Sequence, residues 1–328
     1  MTASTQALRI VSDEPPLSSP RLVLSALDES SPNLRPGSAD SVIRQFEDVQ
    51  REMDALRSEL NLLRRRDKSL NSSMQRLDEE LRLASRLQRD FLPKILPKLG
   101  NIRFHTLYRP AGYVSGDLYD VMRLDEKHVG FYIADAVGHG MPAALLTMFI
   151  KHALVTKEIG AGGYRLLKPS ESLARLNEAL VEQNLAHATF ATALYGTINV
   201  ETLELTMACA GHPMPVLLRD EGPLEDLKCE GGLLGIFPGE VYEDFSIRLT
   251  PGTRLIIYTD GIEVAFSDNP SVGNAERWRD ELLQRRAMES EELLSDFSAT
   301  ADKASGSLEP KDDLTMLVIE VGKDGKGD

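Results

Sequence analysis

The sequence predicts an α+β domain, built of antiparallel sheets with helices segregated on their faces and preceded by a long coiled-coil helix. Three observations predict it. Short apolar runs recur in pairs joined by tight turns, as in Asn199–Leu203 and Cys209–Pro213. Four helix-length stretches interrupt those runs without alternating regularly with them. Ahead of both, apolar residues keep a seven-residue spacing for seven heptads.

Residues 1–39 are rich in Ser and Pro (EPPLSSP, SSPNLRPGS) and show no sustained apolar period. They read as a disordered tail, with a short strand or clip possible at Arg21 to Leu27. The character changes at residue 40. Val42, Phe46, Val49, Met53, Leu56, Leu60 and Leu63 step by four and three, and the register continues through Asp67, Leu70, Met74, Leu77, Leu81, Ala84, Gln88 and Phe91. Only Asp67 and Gln88 are polar on that seam. A helix of about 50 residues is roughly 75 Å long at 1.5 Å per residue, too long to hide its stripe on one small domain. Residues 40–92 are therefore expected to form a coiled-coil dimerisation helix, most simply a parallel homodimer, with Asp67 helping to set register. Pro93 and Pro97 stop it, making residues 93–100 a linker.

Residues 101–322 form the globular domain. Strands are expected at Arg103–Arg109, Asp117–Leu124, Val129–Asp135, Phe190–Val200, Leu203–Ala210, Met214–Arg219, Tyr242–Leu249, Arg254–Thr259 and Leu314–Val321. Helices are expected at Pro142–Glu158, Pro169–Gln183, Ala275–Arg286 and Glu291–Ala304. Residues 323–328 read as a second disordered tail.

Composition excludes several classes. The chain has 328 residues, 42% of them hydrophobic, enough for a sizeable core. Cys209 and Cys229 are its two cysteines, so neither a disulfide scaffold nor a zinc cluster is expected. No apolar run approaches the roughly 18 residues of a membrane span, and no signal pattern opens the chain. The expected location is the cytoplasm. Residues 96–328 hold 22 basic and 36 acidic residues and so carry the whole net charge of −14. Such a domain is a poor nucleic-acid binder.

The acidic residues are placed in a pattern. Asp135 ends the apolar run Val129–Ala134 and is followed by Gly138-His139-Gly140, a turn into a helix with Pro142 in its first turn. Asp117 opens a strand in SGDLYD. Asp260 ends the run Leu255–Tyr258 in YTDG. Asp312 and Asp313 open the last strand in KDDLT. A lone Asp-Gly is ordinarily a turn, and Asp135 alone would serve as a helix cap. Four carboxylate sites where buried strands meet turns would repel one another unless cations neutralised them. Oxygen donors suit Mg²⁺ or Mn²⁺, and two such ions can hydrolyse phosphate esters.

The ordered set SGDLYD, ADAVGHG, AGHPMP, YTDGIEVAF and KDDLTMLV resembles the PPM-type (protein phosphatase 2C-like) metal-dependent serine/threonine phosphatases, in their SpoIIE/RsbU-like bacterial branch. The resemblance spans roughly residues 80–321 and includes the entry segment LASRLQRDFLPKILP. It implies an antiparallel β-sandwich flanked by helices. It also implies that Asp135 bridges two Mn²⁺ or Mg²⁺ ions, that Ala136 lends its backbone carbonyl, and that Asp117 holds one metal directly or through water. Asp260 and Asp312 would complete the other site, with Asp313 a ligand or a neighbour of one. Ser115 and Ala136-Val137 depart from the commoner family residues without removing a side-chain ligand.

The implied mechanism is attack of a metal-activated water on phosphorus, in line with the departing serine or threonine oxygen. His139 reads either as a general acid or as a turn residue, His212 as structural, and Arg109 as a phosphate contact or a surface residue. The implied substrate is a phosphorylated STAS-type anti-sigma-factor antagonist in a partner-switching pathway. An activating protein gripping the coiled coil is the expected regulator. Two alternatives stand beside this reading: a coiled-coil pseudophosphatase that binds a phosphoprotein without turnover, and a hydrolase of small phosphate esters.

Overall fold

The computed structural model describes residues 36–160, 162–184, 190–266, 275–305 and 310–323. The candidate strand at Arg21–Leu27, most of the N-terminal tail, and residues 324–328 lie outside the described residues. The chain divides into two compact units, Met1–Leu77 and Asp78–Asp328.

Within the first unit the described residues are helical, the beginning of the helix α1 (Pro36–Phe91). Its heptad positions Val42, Val49, Leu56, Leu63 and Leu70 are each more than half exposed.

The second unit holds the last turns of α1 and two five-stranded sheets. β1 (Ile102–Arg109), β12 (Leu314–Val321), β11 (Arg254–Tyr258), β8 (Val216–Leu218) and β9 (Glu225–Asp226) form the first sheet, in that order. β10 (Phe245–Arg248), β7 (Glu204–Ala210), β6 (Ala191–Asn199), β3 (His128–Ala136) and β2 (Asp117–Arg123) form the second. Neighbouring strands within each sheet are antiparallel.

Strand alternation explains the layering, because successive side chains point to opposite faces. Phe131 and Ile133 of β3, Leu194 and Ile198 of β6, Leu255 and Ile257 of β11, and Leu317 and Ile319 of β12 fill the space between the sheets. The alternate neighbours point outward. Tyr132 and Ala134 pack under α2 (Met141–Ala153) and α3 (Pro169–Glu182). On the opposite side Ile256, Tyr258, Met316 and Val318 pack under α4 (Gly261–Phe266), α5 (Ala275–Gln284) and α6 (Ser290–Ser305), around Trp278 and Phe297. The result is a β-sandwich flanked by helices, as the sequence predicts.

Three local expectations differ. The helix expected to reach Glu158 ends at Ala153, because Lys157–Gly160 pairs with Gly163–Leu166 as the hairpin β4–β5. The β-branched pair Val155-Thr156 favours extended backbone there. The short helix α4 follows Asp260 where only a turn is expected. Gln88, expected on the dimer seam, is buried against Ser115.

Candidate active site

The sandwich brings one end of each sheet together. Asp117 begins β2 and lies directly across from Asp135 near the end of β3. Asp260 follows β11 and Asp312-Asp313 precede β12, and these two strands are antiparallel neighbours in the other sheet. The approach is close enough to require a glycine. A Cβ on Gly261 would stand 2.0 Å from the Asp313 carbonyl oxygen. The second-sheet aspartates therefore face the first-sheet aspartates across the mouth of the sandwich, and electrostatic coupling among them follows.

Asp117 is the most buried of these aspartates, 1% exposed. Its Oδ2 accepts hydrogen bonds from the Thr259 and Thr315 hydroxyls at 2.8 and 2.6 Å. Those threonines belong to the opposite sheet, so Asp117 ties the two sheets together at the site. Thr315 N donates to Thr259 Oγ1 at 3.1 Å, which holds both hydroxyls in place. Burial raises the Asp117 pKa well above the carboxylate range, and repulsion from Asp135 adds to it. The two threonine hydroxyls oppose that rise without cancelling it.

Asp135 is half-buried. Its proton affinity is pushed up to about 8, first by desolvation and then by Asp260, Asp312 and Asp313. Asp260 is raised by desolvation and by Glu263. Asp312 is raised by desolvation, Asp260 and Asp313, while His139 pulls it down. These carboxylates are thus near enough to destabilise one another's charge. Among the described residues no three His, Cys, Asp or Glu side chains close into a single cage. The carboxylates form an open rim of like charge. An oxygen-only donor set with this repulsion fits hard divalent cations better than any other counter-charge.

Asp313 behaves differently from its neighbour. Its Oδ1 accepts from Ala111 N at 2.7 Å and its Oδ2 from Gly116 N at 2.6 Å. Both oxygens of this buried carboxylate hold the loop that leads into Asp117. Asp312 is exposed, and its Oδ1 accepts from Asp313 N at 2.9 Å. Ala136 N donates to Gly116 O at 3.0 Å, which fixes the Ala136 peptide beside the same loop.

Gln88, near the end of α1, supports this loop as well. Its Nε2 donates to Ser115 O at 2.7 Å and its Oε1 accepts from Ser115 N at 2.8 Å. The Ser115 hydroxyl in turn accepts from Asp117 N at 3.0 Å. Tyr108 OH reaches Asp117 O at 3.4 Å. Thr259, Thr315, Gln88 and Tyr108 carry no chemistry that sequence reasoning could single out. The threonines stood inside the motifs YTDG and KDDLT, and that was their only signal.

His139 is exposed on the Gly-His-Gly turn, and among the described residues its ring makes no hydrogen bond. It helps line a cavity of about 600 Å³ with Tyr113, Val114, Lys311, Asp312 and Asp313. Arg109 is engaged within the fold: Nη1 pairs with Asp302 at 2.7 Å and donates to Ser298 Oγ at 2.9 Å, which ties β1 to α6. Cys209 and Cys229 are buried free thiols, and the contact with the Cys229 thiol, with burial second, drives the Cys209 thiol far up. Neither is a nucleophile.

Known proteins resemble this arrangement. The chain is 30% identical over 203 residues to phosphoserine phosphatase RsbU of Bacillus subtilis (strain 168), covering 61% of this chain and 58% of that one. It spans about half the length of the curated relatives it matches, from 41% to 58%. The SiaA-PP2C domain of Pseudomonas aeruginosa shares the fold, with a TM-score of 0.65, 24% identity, and coverage of 76% of this chain and 98% of that one. So does RsbX in complex with magnesium, with a TM-score of 0.50, 21% identity, and coverage of 70% and 99%. No helix among the described residues is long and apolar enough to cross a membrane. Residues 125–322, more than half of the chain, match the model of the family described as Stage II sporulation protein E (SpoIIE), and the chain belongs to that family.

Proposed function

We propose that the chain is a metal-dependent protein phosphatase acting on phosphoserine or phosphothreonine. The observation that carries this reading is the set of aspartates gathered at two sheet ends, where neighbouring carboxylates raise the pKa of Asp117, Asp135 and Asp312. Asp135, Asp117, Asp260, Asp312 and the Ala136 carbonyl would hold two Mn²⁺ or Mg²⁺ ions. Bound there, the ions supply a nucleophilic water at neutral pH and charge compensation for the phosphoryl oxygens. The chain's own contribution is positional. Thr259 and Thr315 orient Asp117, and Asp313 holds the loop that carries it. His139, exposed and lining one cavity with Asp312, would donate a proton to the departing alkoxide. The magnesium in RsbX, which shares the fold, supports the choice of metal.

The substrate reading rests on the relatives. RsbU is a phosphoserine phosphatase. A phosphorylated STAS-type anti-sigma-factor antagonist is the proposed substrate here, in a partner-switching pathway. The heptad stripe supports a homodimer through α1, with an activating partner on that helix, and the proposed location is the cytoplasm.

The test is Mn²⁺-dependent hydrolysis of an aryl phosphate by the wild type and Asp135→Ala, with EDTA as control. Turnover that needs metal and falls by at least about a hundredfold in the variant is expected. Metal binding without turnover, even on a phosphoprotein, would leave the pseudophosphatase. Higher kcat/KM on small esters than on phosphoprotein would favour the small-ester hydrolase.

A further inference from the structure

The cavity of about 600 Å³ beside His139 and Asp312 has a wall that the aspartate motifs do not supply. Leu81 of α1 lines it, together with Tyr113 and Val114 of the loop that leads to Asp117. Leu77, one step earlier in the heptad, is 58% exposed, whereas Leu81 is half-buried and Gln88 is buried. Leu81 and Gln88 are seven residues apart and so share one face of the helix. Two ties hold that face against the loop. Gln88 brackets the Ser115 peptide, donating to its carbonyl at 2.7 Å and accepting from its amide at 2.8 Å. On the other side of Leu81, the Tyr113 hydroxyl donates to Asp78 Oδ1.

The lining of the cavity is of two kinds. Leu81, Val114 and Pro310 are apolar, whereas His139, Lys311 and Asp312 are polar. Asp312 is a candidate metal ligand, so the cavity is continuous with the acidic rim. Lys311 is exposed, and among the described residues it makes no ion pair. Gly138 and Gly140 contribute bare backbone: a Cβ built on either would meet nothing within 4 Å. That leaves room for another chain to pass over the turn. The volume is in the range of sites that enclose a ligand much larger than a phosphoryl group.

We infer that this cavity seats the residues flanking the phosphoserine of a protein substrate, and that Leu81 is a specificity-determining residue for an apolar flank. The inference rests on the phosphatase reading above and deepens it. An occupant that fits presents a phosphate to the rim and an apolar side chain to Leu81 and Val114. A phosphorylated segment with an apolar neighbour offers both, whereas phosphoserine alone offers only the first. The end of α1 is then part of the substrate site.

Two phosphoserine peptides test it on the full chain, alike except that leucine flanks the phosphoserine in one and glutamate in the other. The wild type with Mn²⁺ should show the higher kcat/KM on the leucine peptide, the difference lying in KM. Leu81→Lys places a cation on the apolar wall and should shift the ratio of the two kcat/KM values by about tenfold toward the glutamate peptide. Should Leu81→Lys lose helix by circular dichroism, Leu81→Ala decides, since it removes apolar surface alone and should narrow the ratio. Leu81→Met keeps the wall apolar and should keep the wild-type ratio. An unchanged ratio in folded Leu81→Lys, an equal loss on both peptides, or a wild-type preference for the glutamate peptide overturns the inference. Hydrolysis of an aryl phosphate with neither peptide accepted overturns the docking site alone. No Mn²⁺-dependent hydrolysis of aryl phosphate by the wild type overturns the phosphatase reading and takes the docking site with it.

Discussion

Asp313 gives both carboxylate oxygens to backbone amides, whereas Asp312 stands exposed among like charges. Removing Asp313 strands two amides that lead into Asp117, and an unpaired buried amide costs about 1–3 kcal/mol. Asp313→Ala is therefore expected to lower the stability of the metal-free protein by at least that amount in urea unfolding. Asp312→Asn keeps the acceptor for Asp313 N and removes a repelling charge, so the metal-free protein should be unchanged or more stable. Mn²⁺ affinity should fall in that variant. The opposite ordering of the two stabilities would reverse the roles given to the adjacent aspartates. From sequence both were candidate ligands, because an Asp-Asp pair does not reveal which carboxylate the backbone has claimed.

At the scale of elements, the end of α1 does two things at once. Its outer residues continue the heptad, while Gln88 turns inward and brackets the Ser115 peptide. A glutamine can satisfy one donor and one acceptor together, which is what the buried Ser115 peptide presents. Gln88→Leu fills the same space without those bonds. It is expected to leave α1 helical by circular dichroism and to lower kcat on an aryl phosphate by about tenfold, through misplacement of Asp117. Unchanged kcat would mean that the Ser115 loop holds itself. The heptad pattern marked Gln88 as a polar interruption of a seam, since periodicity reports which face a residue occupies and not which partner covers it. The same limit explains the overrun of α2: the apolar period runs past Ala153, whereas the β-branched pair Val155-Thr156 and the pairing of Lys157–Gly160 with Gly163–Leu166 take the chain out of the helix.

For the whole molecule, the exposed stripe of Val42, Val49, Leu56, Leu63 and Leu70 has the composition of a two-stranded seam. Sedimentation of the full chain is expected to give a dimer. Leu56→Asp with Leu63→Asp should give a monomer, because two charges on the seam cannot be desolvated in the dimer. The β-sandwich carries its own core and should keep its thermal transition in that variant. A monomeric wild type would remove the dimer from the proposed regulation.

Apolar periodicity by itself determined the long helix expected at 40–92, observed as Pro36–Phe91, and the positions of the main strands, because each is a local consequence of which face must be buried. It also placed four carboxylate sites at strand ends. Which ends meet was decided by tertiary structure. Asp117 and Thr259 are 142 residues apart, and Asp117 and Thr315 are 198 apart, yet one carboxylate oxygen serves both hydroxyls. Strand pairing and the stacking of one sheet on the other create that contact, and no local pattern encodes it. The sequence therefore shows which residues can carry the chemistry. The fold decides which of them orient the others, because hydrogen-bond partners are assigned only when distant strands are brought within 3 Å.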